Sequence, residues 1–130
     1  MALLVLDTSV LIFDWQPERA AAVSAVSVGE LHAGVALASN APEERRRRRR
    51  LDEILCVYAV LVVDLDVARA FGDLVALSRQ IDGPRNRADL LIAAGAVAHD
   101  AGLATTDKRL ATFARRAGLE VVEPPESWAR

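Results

Sequence analysis

The sequence lacks the features that define several classes of protein. It has one cysteine, Cys56, so no disulfide can form within the chain, and this fits a reducing compartment. Its amino terminus has no basic segment ahead of its apolar run, and that run is too short for a secretory signal. No stretch approaches the roughly 18 apolar residues that cross a membrane. We therefore expect a soluble, cytoplasmic protein that makes no contact with a membrane.

Strong overall charge is also missing. The net charge is only −2, so bulk electrostatics do not draw this protein to nucleic acid, and any such attraction has to be local. What the chain does have is apolar material: 52% of its 130 residues are hydrophobic and 26% are charged, as in an ordinary globular protein. We predict a single domain over residues 1–130, with a peripheral tail at 123–130.

Short apolar runs alternate with helical patterns along the chain. The first run ends at Asp7 without alternation, as in a strand that is buried on both faces of a parallel sheet. The patterns predict strands at residues 3–6, 22–26, 59–63, 103–105 and 119–122. They predict helices at residues 10–13, 27–39, 42–55, 88–99 and 107–117, and another between Asp66 and Gly83-Pro84. This alternation predicts one α/β domain with a short central parallel sheet flanked by helices.

Helix starts are predicted from residues that can cap them. Thr8 and Ser9 can cap the first short helix. The stretch from Ser27 to Glu30 matches the S-x-x-E capping box, which predicts that the second helix begins there. Asp66 is the predicted cap of a later helix with apolar positions at a period near 3.6.

Four acidic residues fall where the predicted strands end or the following helices begin: Asp7, Glu30, Asp89 and Asp107. Ligand sites in open parallel sheets gather beyond the carboxyl ends of the strands, so these carboxylates can converge at one edge. Clustered carboxylates repel one another unless a cation joins them. Hard divalent cations such as Mg²⁺ take oxygen ligands and can activate water against a phosphoryl group. The pattern therefore predicts a metal-dependent hydrolase that needs no nucleophilic side chain.

Three of these acids also have a purely structural interpretation. Glu30, Asp89 and Asp107 stand where an acidic residue caps a helix or favours its dipole. Asp7 differs, because it follows a buried strand directly and leaves capping to its neighbours. The functional interpretation therefore depends most on Asp7.

With these residues in place, the chain resembles the VapC toxins of the PIN-domain family over nearly its whole length. Four motifs in order carry the resemblance: Leu4-Val-Leu-Asp7-Thr-Ser9, Ser27-Val-Gly-Glu30-Leu31, Arg87-Ala-Asp89-Leu-Leu-Ile-Ala-Ala94 and Leu103-Ala-Thr105-Thr-Asp107. The third, an Asp followed by Leu-Leu-Ile-Ala-Ala, is the most specific. The resemblance implies a ribonuclease that cleaves phosphodiester bonds with Mg²⁺ or Mn²⁺.

The resemblance also implies roles within the site. Asp7 and Asp89 would be the main metal ligands, and Glu30 and Asp107 would complete the site through waters or a second ion. Supporting roles would belong to hydroxyl side chains: Thr105 would orient Asp107 or a phosphate oxygen, and Thr8 or Ser9 would hold Asp7.

The family further implies partners, namely an RNA substrate, a small antitoxin whose tail blocks the site, and a second copy of the chain in a homodimer. One departure is visible. Many relatives have a further Asp-Phe after the fourth motif, whereas this chain has Arg109-Leu110-Ala111. A fifth acid is missing, which weakens the case for a second metal site.

Six consecutive arginines, at positions 45–50, invite an interpretation as a nucleic-acid surface. On a helix they point around the whole circumference, and Glu43 and Glu44 stand four residues before Arg47 and Arg48. Asp52 and Glu53 likewise follow Arg48 and Arg49 by four. The pattern thus favours a solvated, ion-paired helix. The alternative is that some arginines border the site and touch RNA or the antitoxin; the candidates are Arg45, Arg48, Arg85 and Arg87.

Other functions on a similar fold fit less well. A phosphatase with Asp7 as nucleophile requires a second Asp two residues later, where this chain has Ser9. A response-regulator-like domain wants a lysine at a late strand end, and the only lysine, Lys108, follows Asp107 at a helix start. A non-catalytic RNA- or protein-binding module with a vestigial metal site stays open, and the four intact acids argue against it.

Overall fold

A computed structural model describes residues 2–125 of the chain. Its sheet has five parallel strands in the order β3-β2-β1-β4-β5. The strands are β1 (Leu4–Leu6), β2 (Ala21–Ser24), β3 (Ala59–Leu61), β4 (Gly102–Ala104) and β5 (Val121–Val122). The described helices are α1 (Thr8–Leu11), α2 (Ala25–Ala36), α3 (Ala41–Val57), α4 (Leu65–Gln80), α5 (Arg87–Ala98) and α6 (Lys108–Arg116). The predicted α/β class and its parallel sheet are confirmed.

The central strand β1 is buried on both faces, which explains why its sequence shows no alternation. Leu4 and Leu6 pack with Val10, Leu11 and Ile54, on the side of the sheet that carries α1 and α3. Val5 points the other way into the core formed by α4, α5 and α6. Each fully buried aliphatic side chain contributes about 1.5–3 kcal/mol to stability, so this strand anchors the fold.

The strand order reverses at β1. The chain passes from β1 to β2 and β3 on one side, then crosses to β4 and β5 on the other. Such a reversal opens a crevice at the carboxyl ends of the two central strands, where α/β proteins bind ligands. Asp7 lies at this crevice, and its N–H donates to the Ala104 carbonyl at the end of β4 (2.9 Å).

The predicted boundary between the second strand and the second helix is wrong by about three residues. Ser24, not Ser27, caps α2: its backbone is extended and its Oγ accepts the Val26 N–H at 3.0 Å. Ser27 is therefore inside the helix, and Glu30 lies in the second helical turn rather than in a capping box. Strand β2 ends two residues before its predicted end because Ser24 caps α2, so the helix begins at Ala25.

Two other predicted caps are also wrong. Asp64 caps α4 by accepting the Val67 N–H at 3.0 Å, and Asp66 is in the first turn, where its charge suits the helix dipole. Thr8 and Ser9 are helical residues of α1, and Asp7 occupies its N-cap position without a capping bond from its side chain. The remaining predicted elements are present with ends shifted by a few residues; β3, for example, stops at Leu61.

The carboxyl-terminal segment contacts α6 through Glu123, the first residue of the predicted tail. Glu123 contacts Lys108 and Arg115, each at 3.0 Å. Of the predicted peripheral tail, residues 126–130 lie outside the described residues. Within the part of the chain that is described, no helix is long and apolar enough to span a bilayer.

Candidate functional site

Asp7 is the most deeply buried of the four predicted acids. Only 3% of its surface is exposed, because it leaves β1 directly between β2 and β4. Burying a carboxylate costs free energy unless polar groups compensate it. Two hydroxyl groups do so here: Ser9 and Thr105 each donate to Asp7 Oδ2 at 2.8 Å. Among the described residues no hydrogen bond is made to the other oxygen, Oδ1, which leaves it available for a ligand.

Thr105 links Asp7 to Asp107. Its side chain is fully buried at the end of β4, and its Oγ1 accepts the Asp107 N–H at 3.0 Å while donating to Asp7. Ser9 strengthens this link, since its Oγ accepts the Thr106 N–H at 3.1 Å. The start of α1 is thereby joined to the loop after β4. The structure thus places Ser9 and Thr105 against Asp7.

Thr8 contacts a different acid from the one expected. Its hydroxyl donates to Glu30 Oε1 at 2.7 Å and lies 2.8 Å from the Ser27 hydroxyl. Ser27 is completely buried, so it fixes Thr8 from within α2. The carboxylate of Glu30, which belongs to an exposed residue, is therefore held at one oxygen against the first residue of α1.

The pKa of Asp89 responds to the negative charges of the other three acids. It is half-buried in the first turn of α5, and Asn86 caps that helix by accepting the Asp89 N–H. Burial raises the pKa of Asp89, and the negative charges of Asp7, Asp107 and Glu30 raise it further, to about 6. The other three acids therefore lie close enough to Asp89 for their negative charges to act on it.

Asp107 has both of the roles considered for it. Its Oδ1 accepts the N–H groups of Arg109 and Leu110 at 3.0 and 3.1 Å, so it caps α6. Capping uses one carboxylate oxygen, and its charge still reaches Asp89. Glu30 does not belong to a capping box, because Ser24 caps α2, so that interpretation is wrong. Asp89 lies in the first turn of α5, where its charge favours the helix dipole as predicted.

The donor set suits a hard divalent cation. All its candidate ligands are carboxylate and hydroxyl oxygens, and a cation among the four acids would relieve the repulsion felt by Asp89. Within residues 2–125, no three acidic, histidine or cysteine side chains are grouped so that they could hold a metal ion together. Mg²⁺ does not need such a group, because it commonly binds through one or two carboxylates and keeps several waters. The residues therefore fit Mg²⁺ or Mn²⁺ in an open, water-rich site.

Side chains of the arginine run line at least three depressions of the surface. Arg46, Arg47 and Arg50 border a groove of about 550 Å³ that also contains Thr8 and Glu30. Arg45 and Arg48, the predicted border residues, line a separate shallow depression along α3. The candidates Arg85 and Arg87 are exposed beside the start of α5, near Asp89.

Ion pairing along α3 follows the predicted helical period only in part. Glu43 contacts Arg47 at 2.7 Å and also Arg46, and Glu44 contacts Arg48 at 2.7 Å, as the four-residue spacing predicts. The predicted pairs of Asp52 and Glu53 with Arg48 and Arg49 are wrong. Glu53 is instead 3.5 Å from Arg50, three residues before it.

Sequence reasoning missed Arg50 as a structural residue. Its guanidinium donates to the carbonyl oxygens of Leu11 (2.9 Å) and Phe13 (2.6 Å), just at and beyond the end of α1. A short helix leaves such carbonyls without partners, so Arg50 fixes the far end of the helix that carries Thr8 and Ser9. A run of six identical residues gives no sequence signal that singles out one member.

Comparison with known proteins gives a consistent assignment. Residues 4–118 match the family model of the PIN domain. The chain is 35% identical to the VapC ribonuclease Y4jK of Sinorhizobium fredii over 144 aligned positions, which cover 95% of this chain and 99% of that protein. It is 31% identical to the plasmid stability protein StbB of Pseudomonas syringae, over 96% of this chain and 100% of that protein.

Solved structures have the same fold. One similar chain comes from VapBC-5, a member of the VapBC family of toxin-antitoxin systems from Mycobacterium tuberculosis: the TM-score is 0.83 and the identity 30%, over 95% of this chain and 100% of that one. Another comes from FitAcB of Neisseria gonorrhoeae, with a TM-score of 0.75 and 26% identity over 91% and 95% of the two chains.

Proposed function

Because the chain belongs to the PIN-domain family, in its VapC group, we propose that it is a Mg²⁺-dependent endoribonuclease of the cytoplasm. We further propose that it is the toxin of a type II toxin–antitoxin pair. The observation that carries the first proposal is the position of Asp89, whose pKa is raised by burial and by Asp7, Asp107 and Glu30 together. A carboxylate with a strongly raised pKa in a crevice is typical of a functional site, and a bound cation would offset the negative charge around it.

In this proposal Asp7 and Asp89 hold the metal ion directly, and Glu30 and Asp107 act through bound waters. Mn²⁺ can take the place of Mg²⁺. When bound, such an ion supplies an activated water and stabilises negative charge on the phosphoryl group of RNA. The absence of a fifth acid, with Arg109 in the place of an aspartate that many relatives have, favours one ion over two.

The hydroxyl side chains keep the acids in position for this role. Ser9 and Thr105 occupy Asp7 Oδ2, so that Oδ1 is turned to the ion. Thr8 holds one oxygen of Glu30, which leaves the other free to orient a water. Thr105 also fixes the loop that presents Asp107. Because these contacts exist before substrate binds, the site is preorganised and little reordering accompanies the reaction.

Two protein partners belong to the proposal. The first is a small antitoxin whose tail covers the site, since VapBC-5 belongs to a family of toxin–antitoxin systems.

The second proposed partner is another copy of the chain. Exposed apolar side chains follow one another from the end of α3 to the start of α4, which supports a homodimer: Leu55, Val57, Val60, Val62, Val63 and Leu65. Sedimentation of the purified chain at micromolar concentration would show a dimer, and a monomer there would contradict this part of the proposal.

The nuclease is tested by incubating purified protein with structured cellular RNA and Mg²⁺. Parallel reactions contain EDTA or the variant Asp89→Asn, and the matched control is Asp73→Asn, which changes an exposed aspartate on α4. We expect cleavage with the native protein and the control, none with EDTA, and a rate lower by about a hundredfold or more with Asp89→Asn. Cleavage that survives EDTA or the Asp89 substitution would overturn the proposal. Failure to cleave RNA and to bind Mn²⁺ would favour a binding module with a vestigial site.

A further inference from the structure

A small pocket lies between the end of α4 and the start of α5, outside the acid cluster. It encloses about 140 Å³, and three arginines stand around it: Arg79 from the last turn of α4, Arg85 from the connecting loop and Arg87 from the first position of α5. Buried Pro84 and Leu90 contribute apolar wall. Three cationic side chains therefore converge on one cavity in a protein whose net charge is −2.

These guanidinium groups are not committed to other contacts. Arg79 and Arg87 make no side-chain hydrogen bond or ion pair with any residue in the described range 2–125. Arg85 is 3.6 Å from Asp82, but the Asp82 side chain is 91% exposed, so water and salt weaken that pair. The positive charge of the pocket is thus free to bind an anion.

The loop that forms the pocket is fixed by several hydrogen bonds. Arg109 donates to the carbonyl oxygens of Asp82 and Gly83 at 3.2 and 3.0 Å, which ties the loop to α6. The Gly83 N–H donates to the Ser78 carbonyl at 2.7 Å, and the buried Ser78 hydroxyl donates to the Pro84 carbonyl. The pocket is therefore preformed, and ligand binding does not require ordering of the backbone.

The size and chemistry of the pocket fit a phosphate group. A volume of about 140 Å³ holds roughly four or five waters at about 30 Å³ each, which suits one phosphate and excludes a helix. Guanidinium groups form paired hydrogen bonds with phosphate oxygens, and several of them around one anion strengthen the contact. A peptide carboxylate has the same single charge and also presents two acceptor oxygens, like the non-bridging oxygens of an RNA phosphodiester, so the experiment includes an acidic peptide.

The pocket is close to the acid cluster along the chain. Arg87 and Asp89 both lie in the first turn of α5, two residues apart, so their side chains leave the helix about 200° apart. The pocket and Asp89 therefore lie on different sides of the first turn of α5. We propose that the arginine pocket, formed by Arg79, Arg85 and Arg87, binds a phosphate of the RNA strand outside the acid cluster. This inference rests on the proposed ribonuclease function.

The pocket is tested by RNA binding in EDTA, where no cleavage occurs. A fluorescent single-stranded RNA is titrated with the full chain at several salt concentrations, and its anisotropy is measured. The variant is Arg79→Gln/Arg87→Gln. The matched control, Arg69→Gln/Arg116→Gln, removes two exposed arginines from α4 and α6. We expect the pocket variant to bind RNA about tenfold more weakly, with a salt slope smaller by about 0.7, and the control to bind like the native chain.

Each outcome decides between the two proposals. If both double variants weaken RNA binding equally, the effect is one of general charge and the pocket is overturned. If an oligoglutamate peptide of the same charge binds through Arg79 and Arg87 while RNA does not, the pocket is a peptide site and the inference fails. If RNA binding depends on the pocket but the protein never cleaves RNA, the proposed nuclease is refuted and the proposed phosphate site is supported. If the protein cleaves RNA and the double variant does not change KM, the nuclease is supported and the phosphate site is refuted.

Discussion

Thr105 and Asp7, 98 positions apart in the chain, are joined by a 2.8 Å hydrogen bond in which the Thr105 hydroxyl donates to Asp7 Oδ2. The bond connects the ends of the two central strands, at the point where the strand order reverses. It satisfies one oxygen of a buried carboxylate. Asp7 is therefore fixed at the end of the sheet, while Glu30 and Asp89 belong to helices α2 and α5.

The substitution Thr105→Val tests this bond. Valine has nearly the same shape as threonine but cannot donate to Asp7 or accept from the Asp107 N–H. We expect a loss of about 1–2 kcal/mol in the free energy of unfolding and a roughly tenfold weaker affinity for Mn²⁺. Urea unfolding and calorimetric titration measure the two effects. Thr106→Val is the control, and equal behaviour of the two variants would contradict the role given to Thr105.

The charge cluster makes the metal-free protein less stable than it would be without Asp89. Since the folded-state pKa of Asp89 is about 6, above its ordinary value of 3.8, the folded chain binds this proton more tightly than the unfolded chain does. Its contribution to stability is therefore complete below pH 4 and is lost as the pH rises through about 6. In EDTA at pH 7.5 we expect Asp89→Asn to have a free energy of unfolding higher by about 1 kcal/mol, after solvent screening of a half-exposed group, and hence a higher Tm.

Thermal unfolding of both proteins between pH 4 and pH 8 checks this expectation. The Tm difference should shrink toward pH 4 and grow toward neutral pH. A native protein that is more stable than Asp89→Asn at pH 7.5 in EDTA would show that the four carboxylates do not repel one another as described.

Arg50 should matter more for stability than its neighbour in the arginine run. It donates to the Leu11 and Phe13 carbonyls and is largely covered, with 28% of its side chain exposed. Removing it leaves those carbonyls without their donor, so we expect Arg50→Ala to lower the free energy of unfolding by about 2 kcal/mol. Arg49→Ala, on the exposed side of α3, should change it by less than about 0.5 kcal/mol. Similar values for the two variants in urea unfolding would refute the specific role of Arg50.

The start of α2 provides a further test, because sequence and structure choose different caps. Ser24 accepts the Val26 N–H, so Ser24→Ala should cost about 1 kcal/mol in chemical unfolding. Ser27→Ala should instead loosen Thr8 and Glu30, which its hydroxyl supports. We therefore expect Ser27→Ala to weaken Mn²⁺ affinity more than Ser24→Ala does. Equal or greater weakening of Mn²⁺ affinity by Ser24→Ala would contradict the role given to Ser27.

The order of the elements could be predicted because burial leaves a strong mark on the sequence. The apolar residues of β1 are continuous since both faces are covered, and Asp7 marks the edge where burial stops. The helix caps could not be predicted reliably. Ser24 and Ser27, like Asp64 and Asp66, are competing caps of similar local energy within three residues of each other, and packing of the finished fold decides between them.

In the candidate site, too, some features could be predicted from the sequence and others depend on tertiary packing. The acids could be proposed from strand ends alone, because parallel strands bring their carboxyl ends to one edge. The pairing of Thr8 with Glu30 depends on how α1 packs against α2, and the turn of Arg50 toward α1 depends on how α3 packs against both. Neither leaves a periodic signal. Contacts of this kind became visible only when the tertiary structure was known.

The central claim is that Asp7, Glu30, Asp89 and Asp107 form one divalent-metal site. Calorimetric titration of the native chain with Mn²⁺ at pH 7.5, beside Asp89→Asn and the control Asp73→Asn, tests it most directly. We expect one ion per chain for the native and control proteins, and an affinity lower by at least about tenfold for Asp89→Asn. Absence of Mn²⁺ binding by the native chain, or equal affinity in all three proteins, would contradict it.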